Sequence, residues 1–218
     1  MADIFREVDE EVRREQLKKL WERYGLFVIA LAVLIVAGVG GYRGWEYWQN
    51  KQAAEAGAKF DAAMELSEAS GKSAEAQAAF AKIATDGTTG YRVLARFQEA
   101  AELGKSDTKA SITAYDAIAA DTSIAQPLRD VAAIRAAVML VDTAPLTEMT
   151  RRLETLAAQG GSFRHTAREL LALAAYRAND SAAVKRWLDA IASDGEVPQG
   201  LRVRMEALRA LTADGSKG

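Results

Sequence analysis

AQAAFAKIATDGTTGYR, residues 76–92, contains one full instance of a pattern that recurs down the chain. Ala76, Phe80 and Ile83 are spaced four then three, which places them on one face of an α-helix. Asp86 and Gly87 then supply helix-ending chemistry, and an apolar residue followed by arginine, Tyr91-Arg92, opens the next helix. The triplet returns as Ser111/Tyr115/Ile118, Met149/Leu153/Leu156 and Val184/Leu188/Ile191. Its stops read IATDG from Ile83, IAADT from Ile118, LAAQG from Leu156 and IASDG from Ile191. The central residues lie 35, 38 and 35 positions apart. The opening marker returns as Leu128-Arg129, Phe163-Arg164 and Leu201-Arg202, at intervals of 37, 35 and 38. Two unrelated markers with one period define a unit of helix A, turn, helix B, turn, about 35 residues long.

Polar turns divide A from B within each unit: SGKS at Ser70, GKSD at Gly104, DTAP at Asp142 and AND at Ala178. Pro127 and Pro145 stand near helix starts, where a missing N–H is tolerated. The sequence therefore predicts an all-α fold, a solenoid of about four helix pairs closed by a last helix from about Gln199 to Ala213. Its repeat core is expected to hold Phe80, Ile83, Tyr115, Ile118, Leu153, Leu156, Leu188 and Ile191.

Upstream, no residue from Tyr24 through Tyr42 is charged. At about 1.5 Å per residue such a run covers roughly 28 Å, close to the hydrocarbon thickness of a bilayer. Trp21 and Tyr24 flank one end, and Tyr42, Trp45, Tyr47 and Trp48 the other, as an interfacial belt does. Gly25, Leu34 and Gly41 mark the start, middle and end of this span. A cleaved signal peptide has a short basic leader, whereas this leader carries seven acidic residues among its first 23, which favours a retained anchor; the small residues Ala37, Gly38, Gly40 and Gly41 leave cleavage as the alternative. A core helix of this length would ordinarily carry a polar position. The expected organisation is a leader helix over 1–23, a transmembrane helix over 24–43 and a repeat domain over 44–218. In the leader, Phe5, Val8 and Val12 form one short apolar stripe, suited to the membrane surface or to a membrane partner.

Orientation follows from basic residues. Arg6, Arg13, Arg14, Lys18, Lys19 and Arg23 precede the span, and only Arg43, Lys51 and Lys59 follow it over a comparable stretch. The positive-inside rule puts the N-terminus in the cytoplasm and the repeats across the membrane. In a Gram-negative cell that is an inner-membrane protein with a periplasmic domain.

Catalytic chemistry finds no footing. The chain has no cysteine and one histidine, His165, so thiolate or paired-histidine metal sites have no ligands. GVGG at Gly38 lies inside the apolar span and follows no strand, so it is not a nucleotide loop. No catalytic, cofactor-binding or metal-ligating residue is expected. A net charge of −2 gives no basic field for nucleic acid. Ala37 with Gly41, and Gly40 with Gly44, have small-x-x-x-small spacing, which leaves a homo-oligomer open.

A period near 34, paired helices and a small-x-x-x-aromatic pattern in helix B resemble tetratricopeptide repeats. The consensus Trp, Gly and Pro signposts are mostly missing. The opening ADIFREVDEEVRREQLKKLWERYG, followed directly by the span, resembles the bacterial ancillary SecYEG translocon subunit family. That resemblance implies a membrane-anchored, tetratricopeptide-like periplasmic domain. It also implies the export translocon and periplasmic chaperones as partners.

The function expected is therefore a non-enzymatic adaptor with chaperone-like contacts. The alternative is a scaffold that oligomerises and organises an envelope complex without binding clients. In such stacks the A helices line the binding face, so Arg96, Gln98, Arg135 and Arg168 are the candidate contact residues. One further expectation concerns Arg92, Arg129, Arg164 and Arg202. A cation at a helix start opposes the helix dipole, so two readings stand side by side: each reaches back to the preceding stop, to Asp86, Asp121 or Asp194 or to the last carbonyls, or each simply points into water. Arg164, preceded by Gln159, is expected to lack an ion pair.

Overall fold

The computed structural model describes residues 2–215, and among them it contains helices and no strand. In chain order they are α1 (Ala2–Glu68), α2 (Ser73–Asp86), α3 (Thr89–Leu103), α4 (Thr108–Ala120), α5 (Gln126–Leu140), α6 (Leu146–Leu153), α7 (Arg164–Arg177), α8 (Ser181–Ala192) and α9 (Gln199–Gly215). The chain divides into two units, the first ending at Glu55 and the second beginning at Ala56.

In the first unit α1 turns its apolar side chains outward on all sides, from Leu26 and Phe27 to Val36 and Val39. Gly38, Gly40, Gly41 and Gly44 are equally open, with no atom within 4 Å of where a Cβ would stand. Gly25 differs: the Trp21 indole lies across it, 3.2 Å from that Cβ position. Such a surface is costly in water and stable in hydrocarbon, because the helix satisfies its own backbone. Among the described residues this is the one helix long and apolar enough to cross a membrane. Gly25, Leu34 and Gly41 all lie on it. Trp45 and Trp48 pack together beyond it, ring centroids 5.5 Å apart. The side chains of Phe5, Val8 and Val12 lie outside the described residues.

The second unit stacks helix pairs. The end of α1 serves as the first A helix, with α2 as its B helix; α3/α4, α5/α6 and α7/α8 follow, and α9 ends the series. In the first pair Phe60 and Met64 of α1 meet Phe80 of α2, with Phe60 and Phe80 rings 5.5 Å apart. Tyr115, Ile118 and Ala132 join α4 to α5, and Leu153, Leu171, Leu188 and Met205 belong to the largest cluster, which runs from α5 to α9. Phe80, Ile83, Tyr115, Ile118, Leu153, Leu188 and Ile191 are all buried. Leu156 is the exception. α6 stops at Leu153, the chain leaves the helix, and Ala157 takes the buried place while Leu156 is half-exposed.

Local chemistry sets these ends. Asp107 and Asp180 cap α4 and α8, each accepting from the amide three residues on at 2.9 Å. Gly71 adopts φ +78 in the first A–B turn, where a side chain would be strained. At Gly87 a Cβ would stand 2.5 Å from the Ile83 carbonyl, so only glycine lets the chain leave α2 so closely.

Candidate protein-binding surface

The arginines of the A helices separate into two roles once their partners are seen. Arg96 donates to Asp121 at 2.6 Å and to the Ala117 carbonyl at 3.4 Å, both near the end of α4. Arg168 donates to the Ala157 carbonyl at 2.9 Å, the Ala190 carbonyl at 3.0 Å and Asp194 at 3.0 Å. It is only 4% exposed. Both stand four residues past an opening arginine, and both fasten an A helix to the end of its own B helix. Arg168 is therefore corrected from contact residue to internal clamp: that position faces the B helix rather than the solvent.

The turn-locking expectation also fails, in an instructive way. The Arg92 guanidinium reaches Thr89, and Arg129 reaches Gln126; neither Asp86 nor Asp121 receives them. The Arg202 guanidinium makes no hydrogen bond or ion pair with the described residues. Arg164, expected to lack an acid, bonds Asp194 at 2.7 Å and also meets Glu196. It reaches forward, because an antiparallel pair sets the start of helix A beside the end of its own helix B.

The remaining candidates lie elsewhere on the A helices. Gln98 is half-buried and donates to the Met64 sulfur at 3.0 Å. Arg135 is exposed, its guanidinium 6.0 Å from the Tyr115 ring centroid and 3.4 Å from the hydroxyl. Three residues past Arg135, on the same face, stands Val138, which is 50% exposed. From Ala56 onward, every exposed large apolar side chain among the described residues is on an A-type helix. They are Leu94, Leu128, Val138, Leu173, Tyr176, Val203 and Leu211. Ala101, Val138, Leu173 and Leu211 occupy one register, nine residues past Arg92, Arg129, Arg164 and Arg202. The B helices show no such residue. The signal was available in the sequence as this shared register.

A family model for tetratricopeptide repeat-like domains matches residues 18–210. The chain belongs to that family. No curated protein and no solved structure matches it. Tetratricopeptide-like domains are in general protein-interaction modules.

Ion pairs fasten successive tetratricopeptide-like repeats to one another. Arg152 of α6 grips Asp116 of α4 through two bonds, at 2.6 and 2.9 Å. Arg204 of α9 grips Glu169 of α7 likewise, at 2.6 and 2.9 Å. Lys105 and Arg177, each thirteen residues past an opening arginine, donate to carbonyls at the end of the preceding A helix: Ser67 for Lys105, Val141 and Ala144 for Arg177. A cation there meets the negative end of a helix dipole. These contacts shift the carboxylates. The Ser123 hydroxyl, then Arg96, lower Asp121 to about 2. Arg151 and Arg152 lower Glu148 to about 2. Arg164 and the Glu196 amide hold Asp194 well below the usual range. Burial raises Glu102, but Lys105, Ser67 and Ser73 outweigh it and the group is lowered.

The His165 Nδ1 is 3.9 Å from Asp194 and makes no hydrogen bond with the described residues. Among the described residues no cluster of potential metal ligands occurs.

Proposed function

We propose that this chain is a membrane-anchored adaptor, with its repeat domain on the periplasmic side, that contacts apolar segments of exported proteins beside the export translocon. The observation that carries the reading is the confinement of exposed large apolar residues to the A helices, in register across α5, α7 and α9. Such a strip suits an extended or helical segment with apolar side chains at regular intervals. Arg135, Gln98 and the Arg204–Glu169 pair supply polar contacts along it. The apolar span supports anchoring, and the excess of Lys and Arg before it supports a cytoplasmic N-terminus. Anchoring raises the local concentration of the domain near a membrane machine, so modest affinity suffices. The leader sequence and the layout support the translocon as neighbour, and periplasmic chaperones as co-workers.

A photo-crosslinking residue placed at Val138 or Leu173, in membranes carrying out protein export, tests this. The expected result is adducts with translocating chains and translocon subunits. Adducts with fixed envelope subunits or a second copy alone would replace the adaptor by the scaffold. Protease added to spheroplasts should digest the repeats and spare the leader; protected repeats would overturn the orientation.

A further inference from the structure

The chain has five methionines, and they differ in what an oxidant from solvent meets. Met149 and Met205 are buried. Met64 of α1 and Met139 of α5 are partly buried, and both stand on A helices. A thioether within reach of a hydroperoxide is oxidised to a sulfoxide, and sulfoxide reductases reverse the change. The sulfurs of Met64 and Met139 have different neighbours.

Gln98 of α3 donates through Nε2 to the Met64 sulfur at 3.0 Å. Its side chain makes no other hydrogen bond with the described residues. A primary amide is a strong donor and a thioether a weak acceptor, so half-buried Gln98 aims its donor at a poor partner. At Met139 the nearby hydroxyl is that of Ser111, 3.3 Å away, but its one proton goes to the Ala100 carbonyl at 2.6 Å. The Met139 methyl also lies 3.1 Å from where a Cβ on Gly104 would stand, so that end of the side chain is packed. Position separates the two residues again. Met64 stands 37 residues before Ala101, as Ala101 stands 37 before Val138, so Met64 is the first member of the A-helix register. Beside Phe60 it packs on the cluster of Phe80 and Ile83.

We propose that Met64 is a reversible oxidation site whose sulfoxide is received by Gln98, and that its oxidation removes the first apolar position of the A-helix strip. The co-reactant is a hydroperoxide. A sulfur lone pair attacks the peroxide oxygen, an S–O bond forms and the O–O bond breaks. The departing hydroxide takes the proton from the transferred oxygen and leaves as water; sulfur is oxidised and the peroxide reduced by the same electron pair. The bond from Gln98 engages one sulfur lone pair and leaves the second for this attack. The unbranched side chain then turns about its rotatable bonds, so the new oxygen reaches Gln98 Nε2 while the methyl stays on the core. Oxidation thus makes the surface polar without leaving a buried polar group unpaired. The effect on the strip rests on the adaptor reading; the oxidation site does not.

The full chain in detergent is treated with hydrogen peroxide and followed by peptide mass spectrometry. Met64 should gain oxygen about tenfold faster than Met149 or Met205, and methionine sulfoxide reductases A and B together should remove it. Equal rates at the three residues overturn the proposal. Thermal melting tests the receiver. The oxidised parent chain should melt within about 2 °C of the reduced one. Gln98→Glu keeps the shape without the donor, and Gln98→Leu removes the polar group. In either variant oxidation should lower the melting temperature by several degrees. The same treatment of Met64→Leu measures what the other methionines contribute. Equal shifts in parent and variants, after that contribution is subtracted, overturn the role of Gln98. In membranes carrying out export, a photo-crosslinker at Ala101 reads the strip. Met64→Gln, polar and of similar length, should cut adducts with translocating chains severalfold, and Met64→Leu should not. Equal adducts from the two overturn the effect on the strip. Absence of adducts from the parent chain at Ala101 and Val138 alike counts against the adaptor reading, while oxidation rates and melting decide the site by themselves.

Discussion

Arg168 and Asp194 lie 26 residues apart in sequence and 3.0 Å apart in the fold, each nearly excluded from solvent. The pair joins the start of α7 to the end of α8, and Arg168 also satisfies two carbonyls that helix ends leave without partners. Removing Arg168 leaves the Ala157 and Ala190 carbonyls without its donors, while Asp194 keeps Arg164. Arg168→Ala should destabilise the full chain by about 1–3 kcal/mol in urea unfolding followed by circular dichroism. Arg135→Ala, on the exposed face, should fall within about 0.5 kcal/mol of the parent. Equal effects of the two would refute the clamp.

The carboxylates predict acid sensitivity with a definite sign. Asp121 titrates near 2 in the fold against 3.8 ordinarily, and Glu148 near 2 against 4.5. Their folded values are depressed, so the unfolded chain binds more protons between those limits and stability rises with pH there. That contribution is complete above the ordinary values and is lost as pH falls through the folded ones. The urea midpoint should be flat near neutrality and fall between about pH 4.5 and 2. Asp121→Asn should make the fall shallower. A midpoint indifferent to pH throughout that window would show that the ion pairs do not hold in solution.

Much of this fold could be read from spacing. The triplets around Phe80, Tyr115 and Leu188 identify the buried face of helix B because a four–three spacing admits no other geometry. The polar turns were equally legible, since Asp107 and Asp180 are cap residues by chemistry. Spacing gives a face but not the neighbour across it. Arg96, Gln98, Arg135 and Arg168 all looked like polar positions on A helices, yet the first and last point at helix B and only Arg135 is exposed. The forward reach of Arg164 to Asp194 needed the antiparallel geometry of the pair, which the local sequence does not state. Leu156 packs against the core but is only partly buried, because Leu153 ends α6 early, and nothing in LAAQG distinguishes a continuing helix from successive turns.

Leu153 offers the sharpest test of the period. It is fully buried at the end of α6, within the cluster shared by α5, α7 and α8. Leu153→Ala should cost about 2–5 kcal/mol, and Leu156→Ala, half-exposed beyond the helix end, distinctly less. Comparable losses would mean that α6 continues and that both residues face the core.

The exposed register should behave oppositely. Val138 and Leu173 are 50% and 37% exposed, so Val138→Asp and Leu173→Asp should each lower the unfolding free energy by no more than about 1 kcal/mol. Crosslinking of translocating chains to the domain should nevertheless decline, and more for the double substitution. Full crosslinking by a stable double variant would remove the A-helix strip as the binding face.

The end of α1 makes a final prediction about where the repeat domain begins. Phe60 packs on Phe80 and on Tyr91, with ring centroids 5.5 and 5.6 Å away, and Ala63 is buried in the same cluster. Ser67 also donates to Glu102, whose carboxylate is buried and held by Ser73 and Lys105. The stretch from Ala56 to Glu68 is thus an A helix of the stack as well as the end of α1. A fragment starting near residue 50 should be strongly helical and melt cooperatively. A fragment starting at Ser70 loses Phe60 and Ala63, bares Phe80 and Tyr91, and leaves Glu102 without Ser67. It should melt several degrees lower and bind a hydrophobic dye such as ANS. If the shorter fragment matches the longer in both measurements, the first A helix is not part of the cooperative unit.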